Sequence, residues 1–288
     1  MKKIFQHSQL DAFLILYTVL MLVLPYMLSS VYTTFSLIWL IIILAHAFLL
    51  ANYRNSALHH QGHWPMFVNK QLNQFYEMLA SATAFTSNQS WKCNHFLHHK
   101  YVNDYPVDGK TKDPASVYKD SRTQEATNFW VYTLKNGYND LYTAVFTIPL
   151  SPPLKKIKKL QDQGKREVYF FKFYLATIFL VNWKYAFLFL ITLYLCCVFD
   201  RAISYGEHWG ALDQRGDTTK DSIGIYSKWY NIIGFGAGLH QEHHRSPGTH
   251  WTKYHTITGQ LSPDRKIVNG MHITNNPFWS HFKLLFKK

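Results

Sequence analysis

Two uncharged stretches follow one another near the N-terminus, Ala12 to Ser30 over nineteen residues and Val31 to Ala51 over twenty-one. Each is long enough to cross a hydrocarbon layer of roughly 30 Å as an α-helix. Backbone amides in such a layer find no water to bond, so both segments must satisfy themselves as helices, and they pair as a membrane hairpin. A second apolar region runs from Val168 to Phe199, broken by Lys172 near its start and by Asn182, Trp183 and Lys184 at its middle. Two short spans joined by a tight turn fit it. The predicted fold class is therefore all-α: a polytopic membrane protein with about four transmembrane helices in two hairpins, at about 12–30, 31–52, 168–182 and 185–201. Lys2 and Lys3 stand before the first stretch as in a secretory signal, but a second apolar stretch follows at once, so no cleavage is expected.

The formal net charge of +13 leaves nucleic acid, an anionic membrane and acidic partners open until its placement is read. The hairpin turn near Ser29 to Thr33 is uncharged and the second turn carries only Lys184, while Lys2, Lys3 and nearly all other Lys and Arg fall on the opposite side. The positive-inside rule then puts both termini and the long central segment in the cytoplasm. Nucleic acid is excluded as a partner. The expected location is multi-pass in a membrane of the bacterial inner-membrane type, with the active site facing the cytoplasm. The cysteines Cys93, Cys196 and Cys197 form no C-x-x-C pair, which fits a reduced, cytosol-facing chain. No repeat and no linker-like tract separates a second domain, so residues 1–288 are expected to form one integrated domain with a cytosolic cap of 53–167 and 202–288.

The 115 residues between the hairpins are too many for an unstructured loop. Asn69 to Thr86 spaces Leu72, Phe75, Met78, Leu79 and Ala82 as an amphipathic interfacial helix does, and Asp120 to Leu134 is a weaker helical stretch. The apolar run Leu141 to Leu150 is stopped by Pro152 and Pro153. Lys155, Lys156, Lys158, Lys159, Lys165 and Arg166 follow, as an anchor on anionic lipid or, as the rarer use of such a run, a dock for an acidic electron carrier.

Within this cap lies an unusual set of histidines, from sixteen in the chain. His59 and His63 are four apart, and H-x-x-H-H occurs twice, as His95, His98, His99 and as His240, His243, His244. On a helix, positions three and four residues on lie about 60° and 40° to either side of the first, so each box aims its imidazoles from one face. Imidazole suits iron, copper and zinc. One zinc saturates at four ligands, so this many converging histidines imply two metal ions. His60 is a rival to His59, set aside only by the four-residue spacing to His63. His46 lies thirteen residues before His59, roughly 20 Å away along a continuous helix, so it is excluded from the metal site and is a candidate to line a substrate channel. Glu207 and Glu242 are candidates to orient imidazoles. Gly234, Gly236 and Gly238 have no strand-turn-helix unit around them, which favours close packing or backbone freedom beside the third box over nucleotide binding.

The segments ALHHQGH (Ala57 to His63), WKCNHFLHHKYVND (Trp91 to Asp104) and GLHQEHHRSPGTHW (Gly238 to Trp251) resemble the three histidine boxes of the integral-membrane fatty acid desaturase and hydroxylase superfamily. The resemblance implies two iron ions on the cytosolic side of four membrane helices, oxygen as co-substrate, and a further histidine shortly after the fourth span. His208 in SYGEHWGAL (Ser204 to Leu212) is the match. That segment and DPAS (Asp113 to Ser116) are similar to the alkane hydroxylase branch, whereas two residues between the first and second histidines of the second box is the desaturase spacing. The implied ligand set is His59, His63, His95, His98, His99, His208, His240, His243 and His244, and the implied reaction is desaturation of a fatty acid, acyl lipid or acyl thioester. Hydroxylation of an acyl or alkane chain, or of a carotenoid, uses the same ligands. No haem, iron–sulfur or nucleotide motif is present, so electrons are expected from a separate ferredoxin, rubredoxin or cytochrome. A histidine-rich transporter is disfavoured, because the nine histidines lie outside the apolar cores of the spans.

Overall fold

The computed structural model describes residues 4–103, 113, 115, 127–151, 157–208, 221–258, 267–268 and 271–272. The first apolar stretch is helix α1, Asp11–Val31, and the second is α2, Leu37–Tyr53. The hairpin turn lies a few residues beyond its expected place: α1 continues through Ser29 and Ser30, and the chain turns between Tyr32 and Ser36. Ser and Thr carry no charge, so hydropathy cannot see which of them make the turn. After α2 one π-helical turn, Arg54–Leu58, leads directly into α3, His59–His63, so that Leu37–His63 forms one helical rod of 27 residues. A π turn admits an extra residue and so changes the direction in which everything after it points.

The expected amphipathic helix is α4, Lys70–Ala84, started by Asn69, whose side-chain oxygen accepts from the amides of Gln71 at 2.8 Å and Leu72 at 3.2 Å. Next come α5, Asn88–Tyr101, and α6, Phe129–Phe146. Of the weaker stretch Asp120 to Leu134, residues 120–126 lie outside the described residues; the observed helix starts at Phe129 and takes in the first part of the run that precedes Pro152. Lys155 and Lys156 also lie outside them, while Lys158, Lys159, Lys165 and Arg166 occupy the first half of α7, Lys158–Val181. The expected span 168–182 is thus the apolar second half of a longer helix. Asn182 alone separates α7 from α8, Trp183–His208. Its amide donates to the carbonyls of Ser29 at 2.9 Å and Tyr32 at 3.1 Å, and its oxygen caps the amide of Tyr185 at 3.1 Å, which ties the two hairpin turns together. The helix α8 runs seven residues beyond the expected end at 201, and reaches His208. Among the described residues three helices, Asp11–Val31, Leu37–His63 and Trp183–His208, are long and apolar enough to cross a membrane. The chain is a helical membrane protein.

Two compact units are distinguished, residues 1–93 with 136–200, and residues 94–135 with 201–288. In the first, α1, α2, α4 and α7 pack around Leu14, Met21, Leu50, Tyr53, Phe171 and Ile178, all at most 2% exposed. Besides the Asn182 contacts at the hairpin turns, this unit has a group of polar contacts around the end of α2 and the start of α7. Asp200 accepts from Asn55 at 2.7 Å and pairs with Arg54 at 3.3 Å, fixing the π turn to α8. Glu77 of α4 pairs with Lys92 of α5, and the fully buried Glu167 of α7 accepts from the Ser87 hydroxyl at 2.8 Å and the Gln89 amide at 3.0 Å. Burial pushes the Glu167 carboxyl up to about 7, partly offset by those two hydrogen bonds.

The second unit contains the end of α5, the start of α6, the end of α8, and three short helices, α9 (Lys228–Ile233), α10 (His240–Arg245) and α11 (His255–Thr258). Its only strand pairing among the described residues is a two-residue antiparallel ladder, Ile267–Val268 with Met271–His272.

Candidate metal centre

The second unit carries seven of the nine histidines. Helix α5 supplies His95, His98 and His99, the last residue of α8 is His208, and α10 supplies His240, His243 and His244. The short α10 is held in place by the turn before it, where Phe235 and Gly236 take positive φ values of 50° and 77°. Gly238 then lies so close to the neighbouring chain that an added Cβ would stand 2.5 Å from the Ile225 carbonyl oxygen. The Gly-rich segment serves this turn, in keeping with close packing.

The seven imidazoles divide into two groups. His98, His208, His240 and His244, all buried, offer one nitrogen each within 4.8 Å of one another. His95, His99 and His243 converge likewise, with Nε2 of His99 lying 2.9 Å from that of His95 and 2.8 Å from that of His243. In the first unit, on α3, His59 and His63 place their rings 5.3 Å apart, whereas His60 is tilted against Trp64 at 6.2 Å. Trp91 lies 5.5 Å from the His59 ring, and its ring lies 2.3 Å from where a Cβ on Gly62 would be, so this box has a glycine where the tryptophan crosses it.

Hydrogen bonds behind the rings fix which nitrogen faces inward. His208 Nδ1 stands 3.1 Å from the backbone carbonyl oxygen of Asp221. A carbonyl only accepts, so Nδ1 carries the proton and Nε2 a lone pair. His98 Nδ1 lies 3.0 and 3.1 Å from the two carboxylate oxygens of Asp113, which places its proton in the same way. The Nε2 atoms of His98 and His208 are nevertheless only 3.2 Å apart, and His240 Nε2 is 2.9 Å from His208 Nε2. The lone pairs of His98 and His208, 3.2 Å apart, repel unless a cation lies between them. A proton is a poor candidate for that cation, because burial and then the neighbouring histidines push His244 well below the ordinary imidazole range. The donor set fits a metal ion: nitrogens held tetrahedrally at about 2.1 Å from an ion stand roughly 3.4 Å apart, near the observed separations of 3.2 and 2.9 Å.

The groups behind the imidazoles are those that residue spacing did not reveal. Asp113 also accepts from the amides of Asn103 at 3.1 Å and Ala115 at 2.9 Å, and Asn103 donates to the Asp221 carbonyl at 3.0 Å. Asp221 Oδ2 lies 3.4 Å from His244 Nδ1, and the Tyr254 hydroxyl is 2.8 Å from His243 Nδ1. Only the DPAS segment marked Asp113 in advance. Asp221 and Tyr254 reach the site from loops and carried no signal. Of the two glutamates singled out from the sequence, Glu207 stands 3.7 Å from His240 Nε2, and Glu242 is fully buried and accepts from the Tyr226 hydroxyl at 3.4 Å.

Helices able to cross a membrane, together with imidazoles in two groups that could each hold a metal ion and are backed by carboxylates, define a helical membrane protein of the polyhistidine class. The fatty acid desaturase family model matches residues 33–268, most of the chain, and the protein belongs to that family. The family is one of desaturase- and hydroxylase-type enzymes acting on lipids at the membrane. Comparison with curated proteins and with solved structures gives no match.

Proposed function

We propose that the chain is an oxygen-dependent oxidoreductase that introduces a double bond into the acyl chain of a fatty acid, acyl lipid or acyl thioester, with two iron ions as its metals. The observation that carries the reading is the pair of inward Nε2 lone pairs of His98 and His208 at 3.2 Å, because it calls for a cation of nitrogen preference. One ion is assigned to His98, His208, His240 and His244. The other is assigned to His95, His99 and His243, completed by His59 and His63 on the strength of the first box. Bound iron supplies the one-electron steps by which oxygen is reduced and carbon–hydrogen bonds are cleaved.

The chain's own residues supply the rest. Asp113, the Asp221 carbonyl and Tyr254 hold the imidazole tautomers and angles, so the ligands need no reorganisation when the metal changes charge. The apolar helices hold an alkyl chain and exclude water from it. The balance is that the chain loses two hydrogens, and oxygen takes these with two electrons and two protons to give two waters. The electrons come from a separate ferredoxin, rubredoxin or cytochrome. The chain acts as one catalytic domain in a membrane of the bacterial inner-membrane type, and the placement of Lys and Arg supports metals toward the cytoplasm.

A second reading, hydroxylation of an acyl, alkane or carotenoid chain, is favoured by one observation: the aspartate of the hydroxylase-like DPAS segment is the residue that backs His98. Metal analysis with lipid and hydrocarbon profiling decides between them. About two irons per chain and a new double bond that disappears in His98→Ala are expected, while a new hydroxyl selects the second reading. One zinc with no iron, or identical profiles for the two proteins, refutes both.

A further inference from the structure

The middle of α2 holds an ionisable side chain that the metal centre does not use. His46 is the tenth residue of the seventeen from Leu37 to Tyr53, so in a spanning helix it sits at mid-bilayer depth. It is 2% exposed, and neither Nδ1 nor Nε2 has a hydrogen-bond partner. The ring is stacked on Phe189 at 5.6 Å and 24°. Phe189 in turn meets Phe85 edge-on at 5.5 Å and stacks on Tyr185 at 6.1 Å. Phe85 is brought there by a left-handed backbone, φ 52° and ψ 39°, which an aromatic residue rarely adopts. Strain at Phe85 and an unsatisfied imidazole thus meet in one aromatic cluster.

Packing does not explain a histidine here. A phenylalanine stacks on Phe189 as well, and it does not bury a donor and an acceptor without partners. An ionisable residue inside a span points to a ligand or a pathway. The chemistry of the ligand follows from the imidazole. In its neutral form it offers one N–H and one lone pair, which a hydroxyl satisfies from either side. A carboxylate or phosphate is excluded, because at this depth it would leave its water with no charge to meet it. His46 also lies thirteen residues from His59 on the same rod, roughly 20 Å along its axis. The hydroxyl it meets is therefore far along a chain from any carbon that is oxidised.

We propose that His46 binds the hydroxyl of a long-chain alcohol function drawn into the helical bundle, and so selects substrates oxygenated at the end remote from the metals. This rests on the reading of the chain as a lipid-modifying enzyme, although its test does not require turnover. The test is the thermal midpoint of the purified full-length, metal-loaded protein titrated with hexadecanol or with hexadecane. Wild type binds hexadecanol about five- to tenfold more tightly than hexadecane, the worth of one hydrogen bond. His46→Phe and His46→Leu abolish that preference while leaving hexadecane binding and metal content unchanged, and His46→Gln, which keeps a donor and an acceptor, retains it in part. Equal binding of the two ligands by wild type, or an undiminished preference in whichever of the Phe and Leu variants folds, overturns the proposal. Wild type that holds iron without the preference refutes this inference alone; a preference in a protein that holds no iron refutes the enzymatic reading and leaves His46 as a lipid site.

Discussion

Replacing Asp113 by asparagine tests the claim that carboxylates behind the imidazoles set metal affinity. The carboxylate accepts from His98 Nδ1 at 3.0–3.1 Å and from the amides of Asn103 at 3.1 Å and Ala115 at 2.9 Å, and each of these donates. Asparagine keeps one accepting oxygen and puts an NH2 where the other stood, so at least one N–H faces a donor at 0% exposure. The Asn103 and Ala115 amides bond to different oxygens and His98 Nδ1 faces both. Whichever way the asparagine turns, one backbone amide meets the NH2, the NH2 also crowds the His98 proton, and the tautomer with a lone pair toward the metal is less favoured. Loss of such a partner costs about 10- to 100-fold in metal affinity, or about 1.4–2.8 kcal/mol. The assay is retention of iron by the purified protein against a graded chelator, and Asp221→Asn is the comparison. Asp221 meets His208 through its main-chain carbonyl, which the substitution leaves in place, and its carboxylate is at the looser distance of 3.4 Å from His244. Asp221→Asn is therefore expected to lose less metal than Asp113→Asn. Iron affinity within twofold of wild type in Asp113→Asn, or the reverse order of the two variants, refutes the reasoning.

Two further outcomes follow from the packing. Glu167 keeps its proton in the folded protein up to about pH 7 but releases it near 4.5 when exposed, so the folded state binds the extra proton between these values. Its contribution to stability is complete below 4.5 and lost as pH rises toward 7, with a ceiling of about 3 kcal/mol for that gap; thermal midpoints between pH 5 and 8 should fall with pH in wild type and flatten in Glu167→Gln. Gly238→Ala places a methyl group 2.5 Å from the Ile225 carbonyl oxygen, which already accepts from Asn231 at 2.7 Å and belongs to rigid backbone. A cost on the order of 1–3 kcal/mol should appear as a lower thermal midpoint and weaker iron retention, and a variant as stable as wild type shows that α10 tolerates another approach.

The sequence by itself determined that the chain is helical and membrane-embedded, and which histidines come in boxes. Both are local properties. Nineteen uncharged residues in a row must satisfy their own amides in a bilayer, and imidazoles three and four positions apart share a helix face wherever that helix lies. What needed three dimensions was everything that depends on residues far apart in the chain. Asp221 reaches His208 thirteen positions away through a carbonyl, and Tyr254 reaches His243 from eleven positions away through its hydroxyl. The position of the hairpin turn escaped hydropathy because Ser and Thr read as neutral, and the π turn at Arg54–Leu58 escaped periodicity because it breaks the period. The division of the second unit's seven histidines into four and three was equally hidden. It depends on α5, α10 and the end of α8 meeting, and only packing, not spacing along the chain, brings those three segments together.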